Sequence, residues 1–189
     1  MILQNDFNKM IGEFNQLESF RDDIWQRCEK LLRDGYNYEA YSLLLATWNF
    51  AYFRYMLTTM KSKDFENAIN ETQVLFKELE GKHFEKADFS NDINLRNKTE
   101  KIYETFKKIV KQTGASKIMA LRMPELFVMW DTGIRKMWKI NNKASSEDYL
   151  DFLVKMQKEF NKIKVTKSNT SLAKAIDEYN YIKSTEQKK

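Results

Sequence analysis

An all-α protein is what this 189-residue sequence predicts, and three observations carry the prediction. Apolar residues recur at three- and four-residue steps along almost the whole chain, which is the period of an amphipathic helix. Five glycines and one proline are too few for a sandwich or a barrel, which turns tightly at every strand end. A hydrophobic fraction of 42% with 14% aromatics is ample for a packed interior, so disorder is excluded for the bulk of the chain. The expectation is a compact domain of about seven to nine helices. It spans residues 1–183, in one body or in two lobes meeting near 112–116, with a polar tail over 184–189.

The first stripe is Leu3, Phe7, Met10, Ile11, Phe14 and Leu17. A second, Phe20, Ile24, Cys28, Leu31 and Leu32, stops at Asp34-Gly35, where glycine supplies a helix C-cap. The segment from Tyr38 to Thr59 is apolar on most sides and predicts a buried central helix. Asp64 is a cap former ahead of Phe65, Ala68, Ile69, Leu75, Phe76 and Leu79, and Gly81 ends that helix. Residues 82–92 lack clear periodicity and predict the longest loop. A fifth helix carries Ile93, Leu95, Ile102, Tyr103, Phe106, Ile109 and Val110.

Punctuation then thickens. Gln112-Thr113-Gly114 predicts a tight turn and Ser116 to Arg122 a short helix. Pro124, with no N–H to donate, suits the first turn of a new helical segment. Asp131 is positioned to cap a helix with Ile134, Met137 and Trp138, which Asn141-Asn142 breaks. Ser145-x-x-Asp148 resembles a capping box, opening a helix with Tyr149, Leu150, Phe152, Leu153, Met156, Phe160 and Ile163. The last helix is predicted from about Thr170 to Ile182. No repeat of solenoid length is present.

Several classes of chemistry are excluded or disfavoured. Cys28 is the sole cysteine, so no internal disulfide forms and a reducing setting is expected. The longest apolar-rich stretch, Tyr41 to Leu57, is interrupted by Ser42, Thr47, Asn49 and Arg54, so no membrane-spanning helix is expected. Asp6 interrupts the N-terminus before any signal-like run, and the expected location is cytoplasmic. One histidine, His83, and one cysteine cannot build a zinc site, and no metal or other cofactor is implied. Phosphate-binding glycine loops and dinucleotide fingerprints are absent. The net charge is +5, and from Lys139 to Lys189 eleven lysines face seven acidic residues, a bias that permits contact with a polyanion.

The densest cluster of chemistry-bearing residues runs from Thr113 to Trp138, TGASKIMALRMPELFVMWDTGIRKMW. A glycine turn, a lysine in an apolar run (Lys117) and an aspartate at a helix start (Asp131) fall within 26 residues. This stretch resembles the helix-hairpin-helix DNA glycosylase superfamily, all-helical base-excision enzymes. The resemblance implies a DNA-backbone hairpin at Thr113, Gly114, Ala115 and Ser116, with Lys117 as nucleophile and Asp131 as its carboxylate partner. It covers about one-seventh of the chain.

Such a pair has a clear physical logic. An uncharged lysine amine attacks the anomeric carbon of a damaged nucleotide and leaves a Schiff base. Burial would have to lower the amine's pKa for that. The carboxylate orients the amine and offsets positive charge developing on the sugar. The nucleotide must leave the duplex, so aromatic walls are needed; Trp48, Trp130 and Trp138 are the expected ones, with Arg54 facing a cleft or paired inside.

Two non-catalytic readings use the same residues. In one, the chain is a helical protein-interaction module in which Gly114, Pro124 and Asp131 serve only turns and caps. In the other, it is a non-enzymatic nucleic-acid binder that uses its lysine-rich C-terminal surface. The expected partners are thus DNA or a protein.

Overall fold

The structure, a computed structural model, describes residues 1–17, 19–59, 61–141, 143–166 and 170–186. Nine α-helices and no strand are found among them: α1 (Gln4–Leu17), α2 (Ser19–Arg33), α3 (Asn37–Trp48), α4 (Phe50–Thr59), α5 (Ser62–Glu78), α6 (Ile93–Arg122), α7 (Thr132–Met137), α8 (Ser146–Phe160) and α9 (Leu172–Glu186). Among the described residues no helix is long and apolar enough to cross a membrane.

Local signals set several helix ends. Gly35 has φ +87°, its N–H donates to the Leu32 carbonyl, and the Tyr36 N–H reaches back to Leu31. That is a Schellman cap, and only glycine adopts its left-handed position without cost. Ser145 and Asp148 form both halves of the capping box that opens α8. Asp92 caps α6 by accepting from the Leu95 N–H at 3.0 Å.

Other boundaries differ from the sequence expectation. The long helix expected over Tyr38–Thr59 is two helices, broken at Asn49 (φ −139°, ψ 35°), whose N–H still bonds the Leu45 carbonyl. Asparagine is among the weaker residues inside a helix, since its short amide can compete with the backbone for hydrogen bonds, and the break falls on it. α3 buries Ala40, Tyr41, Leu44 and Leu45, whereas α4 buries only Met56. The buried central element is instead α6, which runs 30 residues and packs on α5, α8, α2 and α3.

The turn expected at Gln112-Thr113-Gly114 is replaced by one non-helical residue, Lys111 (φ +60°, ψ 177°), after which the helix resumes to Arg122. Pro124 opens a single turn, closed by the N–H groups of Leu126 and Phe127 on the Met123 carbonyl, and no helix follows. Asp64 lies in the first turn of α5, whose N-cap is Lys61. α7 is stopped earlier than expected, by a left-handed Lys139 (φ +54°) with Ile140 N–H bonded to the Arg135 carbonyl. Asn142 lies outside the described residues. α9 continues to Glu186, so 184–186 are helical; 187–189 also lie outside the described residues.

Residues 82–92 are irregular, as expected, but well anchored. Phe84 and Phe89 are fully buried, and the Gln157 side chain donates to the carbonyls of Phe84 and Ala87. All nine helices contribute buried apolar side chains to one core, with Trp130, Tyr103, Tyr149 and Phe152 packed ring against ring at its centre.

Candidate active site

The site begins with a buried serine. Ser116 sits in the second half of α6, and Trp130 lies on the extended strand of chain that leads into α7. The Ser116 hydroxyl accepts from the Trp130 N–H at 3.2 Å and lies 3.1 Å from both the Trp130 and Thr113 carbonyls. The Trp130 indole N–H adds a third tie, to the Gln112 carbonyl at 3.3 Å. Residues 116 and 130 are therefore clipped together, and the two segments that carry Lys117 and Asp131 are held against each other. Asp131 caps α7 by accepting from the Ile134 N–H at 2.8 Å, an ordinary N-cap bond that fixes its carboxyl direction.

Both residues line one cavity of about 260 Å³. That is close to the lower end, about 300 Å³, of small-molecule sites in proteins. Its aromatic walls are Phe14, Trp25, Trp48 and Trp130, with Trp25 and Trp48 set edge to face at 6.2 Å. Lys117 is 8% exposed, and its ammonium donates to the Trp48 carbonyl. A second amine enters from α9: Lys174 Nζ lies 4.4 Å from the Trp25 ring centroid and 3.6 Å from Glu178 Oε1. A stack of that kind is a cation–π contact, strengthened by partial desolvation.

Asp22, Asp177 and Glu178 complete the charged lining. Asp177 is 4% exposed; one carboxyl oxygen accepts from the Met129 N–H, and Oδ2 has no hydrogen-bond partner among the described residues. Burial pushes its carboxyl well above the usual carboxylate range and Glu178 adds to this, against the pull of Lys174, the Met129 N–H and Lys117. Behind the pocket wall, Arg135 is buried with its guanidinium 5.2 Å from the Trp130 ring centroid, and burial lowers its pKa.

Of the residues expected from sequence, Lys117, Asp131, Trp48 and Trp130 meet in this cavity. Trp138 does not line it; its indole N–H donates to Asn180 Oδ1 at 2.8 Å, and its ring packs on Phe160. Arg54 is exposed on α4 and lines no part of it, because α4 lies on the surface instead of in the core.

Thr113, Gly114, Ala115 and Ser116 are helical, and the last three are buried. A Cβ on Gly114 would stand 2.8 Å from Val110 Cβ and 3.2 Å from Leu45 Cδ2. This glycine thus serves the close approach of α6 to α3, and the segment has no open hairpin to present to a phosphate chain. The C-terminal lysines do not all face solvent either: Lys155 donates to the Trp138 carbonyl at 2.6 Å, and Lys174 turns into the cavity.

Phe14, Asp22, Trp25, Lys174, Asp177, Glu178 and Tyr181 were not anticipated from sequence. One signal was available in α9. Adjacent acids at 177 and 178, set among Ala173, Ala175, Ile176 and Tyr179, lie on a helix buried on most sides. Carboxylates in such surroundings are rare without a partner or a purpose. Among the described residues, no group of three or more His, Cys, Asp or Glu side chains is arranged to hold a metal ion.

No protein-family model matches the chain, and no curated protein or solved structure matches it either.

Proposed function

We propose that this chain is a base-excision protein of the DNA glycosylase/lyase type, which takes an extruded nucleotide into the Trp25–Trp48–Trp130 cavity. The observation that carries the reading is the meeting of Lys117 and Asp131 at one aromatic-walled pocket, 14 residues apart in sequence and joined through the Ser116–Trp130 clip.

In this reading the neutral Lys117 amine attacks the anomeric carbon. The glycosidic bond breaks with its electron pair leaving on the base, which takes up a proton. The nitrogen then gives up one proton, and its lone pair forms a C=N bond as the bond from the anomeric carbon to the ring oxygen breaks; that oxygen keeps the electron pair and takes up a proton, leaving an open sugar as a protonated Schiff base. Asp131 orients the amine and offsets charge developing on the sugar. With Gly114, Ala115 and Ser116 buried, contact with the DNA strand falls to the surface around the cavity mouth, where Phe50 of α4 is exposed beside the pocket.

Incubation with duplexes carrying uracil, 8-oxoguanine or an abasic site, followed by borohydride, tests this directly. A covalent adduct is expected with wild-type protein and not with Lys117→Gln. No adduct on any of the three substrates ends the lysine chemistry.

One contact favours a second, non-catalytic reading. The Lys117 ammonium is held on the Trp48 carbonyl, so the pocket would bind an aromatic ligand without attacking it. Retention of duplex or free base with no adduct is its signature.

A further inference from the structure

We infer that Asp177 is the base-reading group of this cavity, a carboxylic acid whose Oδ2–H donates to a ring carbonyl of an oxo-bearing nucleobase. The inference rests on the base-excision reading and names the class of base it takes.

Three features lead here. Asp177 is buried to 4% exposure, lines the cavity, and has one carboxyl oxygen with no hydrogen-bond partner among the described residues. A buried polar atom without a partner costs folding free energy, and Asp177 lines the cavity, so a ligand there that draws Oδ2 into a hydrogen bond removes that cost. Its other oxygen is committed to the Met129 N–H, one residue before Trp130, so the carboxyl is held in register with the aromatic wall. The groups facing it are Lys117 from α6, Tyr149 from α8, and Lys174 and Glu178 from its own helix.

Desolvation keeps the carboxyl protonated well above the ordinary carboxylate range. A protonated acid offers a donor, and a nearby ammonium offers more; such a floor selects a carbonyl oxygen over an exocyclic amino group. Carboxylic acids kept neutral by an apolar site serve as donors in this manner elsewhere in enzymology. Hypoxanthine and adenine are purines that differ at C6, oxo against amino, and at N1, which donates in hypoxanthine and accepts in adenine; uracil and cytosine repeat the contrast on a smaller ring, and a preference for the oxo base in both pairs is what a donor aimed at the ring carbonyl requires.

The test is titration of the whole protein with free hypoxanthine, adenine, uracil and cytosine up to millimolar concentration. The readout is quenching of the tryptophans that line the pocket. Wild-type protein should bind hypoxanthine about tenfold more tightly than adenine, the scale of one buried hydrogen bond gained or left unmade. Asp177→Asn keeps an acceptor for Met129 and a donor for the base, so it should retain that preference. Asp177→Leu should lose about tenfold in hypoxanthine affinity, and the preference with it.

Wild-type binding should weaken as pH rises through the Asp177 pKa of the folded protein, while Asp177→Asn stays flat; this comparison stands even where Asp177→Leu fails to fold. Equal loss in Asp177→Asn and Asp177→Leu would mean an anionic acceptor and overturn the inference. So would adenine binding as tightly as hypoxanthine, or no base binding at all. An adduct at Lys117 that ignores Asp177 ends this inference and leaves the base-excision reading intact. Base binding through Asp177 without an adduct does the reverse.

Discussion

Ser116→Ala cuts the clip that joins the two halves of the candidate site, and its cost can be worked from the structure. The hydroxyl is fully buried, accepts from the Trp130 N–H at 3.2 Å and lies within bonding distance of the Trp130 carbonyl at 3.1 Å. Alanine fits the space but leaves both backbone groups unpaired in the interior. Each such group costs about 1–3 kcal/mol, so a destabilisation of about 3 kcal/mol is expected. With a urea dependence of about 1–3 kcal/mol per molar, the unfolding midpoint should fall by about 1 M or more. Ser145→Ala is the control: it breaks the α8 capping box, away from the cavity, and should cost about 1 kcal/mol. Equilibrium urea unfolding followed by tryptophan fluorescence measures both variants. A Ser116→Ala loss no larger than the Ser145→Ala loss would refute the claim that this hydroxyl clips α6 to the segment leading into α7. The borohydride adduct should also diminish in Ser116→Ala under conditions where the variant remains folded.

Asp131→Asn should stay within a few tenths of a kcal/mol of wild type, because asparagine caps as well as aspartate, yet lose the borohydride adduct; Asp131→Ala should lose about 1 kcal/mol as well. Gly114→Ala should lower stability by about 1–3 kcal/mol in thermal unfolding despite alanine's better helix propensity, since Val110 Cβ is too close to the backbone to move aside. Cys28 is fully buried and its thiol is pushed up to about 11, so it should resist a thiol-reactive dye at pH 8 until the protein unfolds. Because that pKa is raised on folding, its contribution to stability is complete below about pH 8.5 and is lost as pH climbs toward about 11. Asp177 also has its pKa raised on folding; its share of stability is present in acid and lost on the alkaline side. Asp177→Asn should therefore gain stability over wild type at pH 8, and the gain should shrink at pH 4 in matched urea titrations.

Much of the helical framework was legible in the chain because it depends on groups a few residues apart. The Gly35 cap, the Ser145–Asp148 box and the Asp131 N-cap are local hydrogen-bond chemistry, and each forms where its residue types predicted. Local signals misled where tertiary packing decided the outcome. Gly114 looked like a turn, but its missing side chain lets Leu45 and Val110 approach, and the one left-handed residue nearby is Lys111. Arg54 looked buried because its neighbours are apolar; α4, however, packs on the core through Met56 and the half-buried Tyr52 and Phe53, and leaves Arg54 on its exposed side.

Lys117 and Asp131 were suggested by their spacing on one stretch of chain, but only the fold, with Ser116 tied to Trp130, brings both to the wall of one cavity. The other wall of the cavity had no sequence-local signature at all. Trp25 on α2 and Lys174, Asp177 and Glu178 on α9 arrive from segments about 150 residues apart, brought to the same cavity by the packing of α1, α2 and α9. Helical periodicity and caps are properties of residues close in sequence, so the sequence alone determined the all-α class and several helix ends, while the break at Asn49 and the run of α6 through Gly114 appeared only in the fold. A pocket belongs to whichever side chains the core leaves facing one another, and burial, which shifts the Asp177 carboxyl, exists only once the chain has folded.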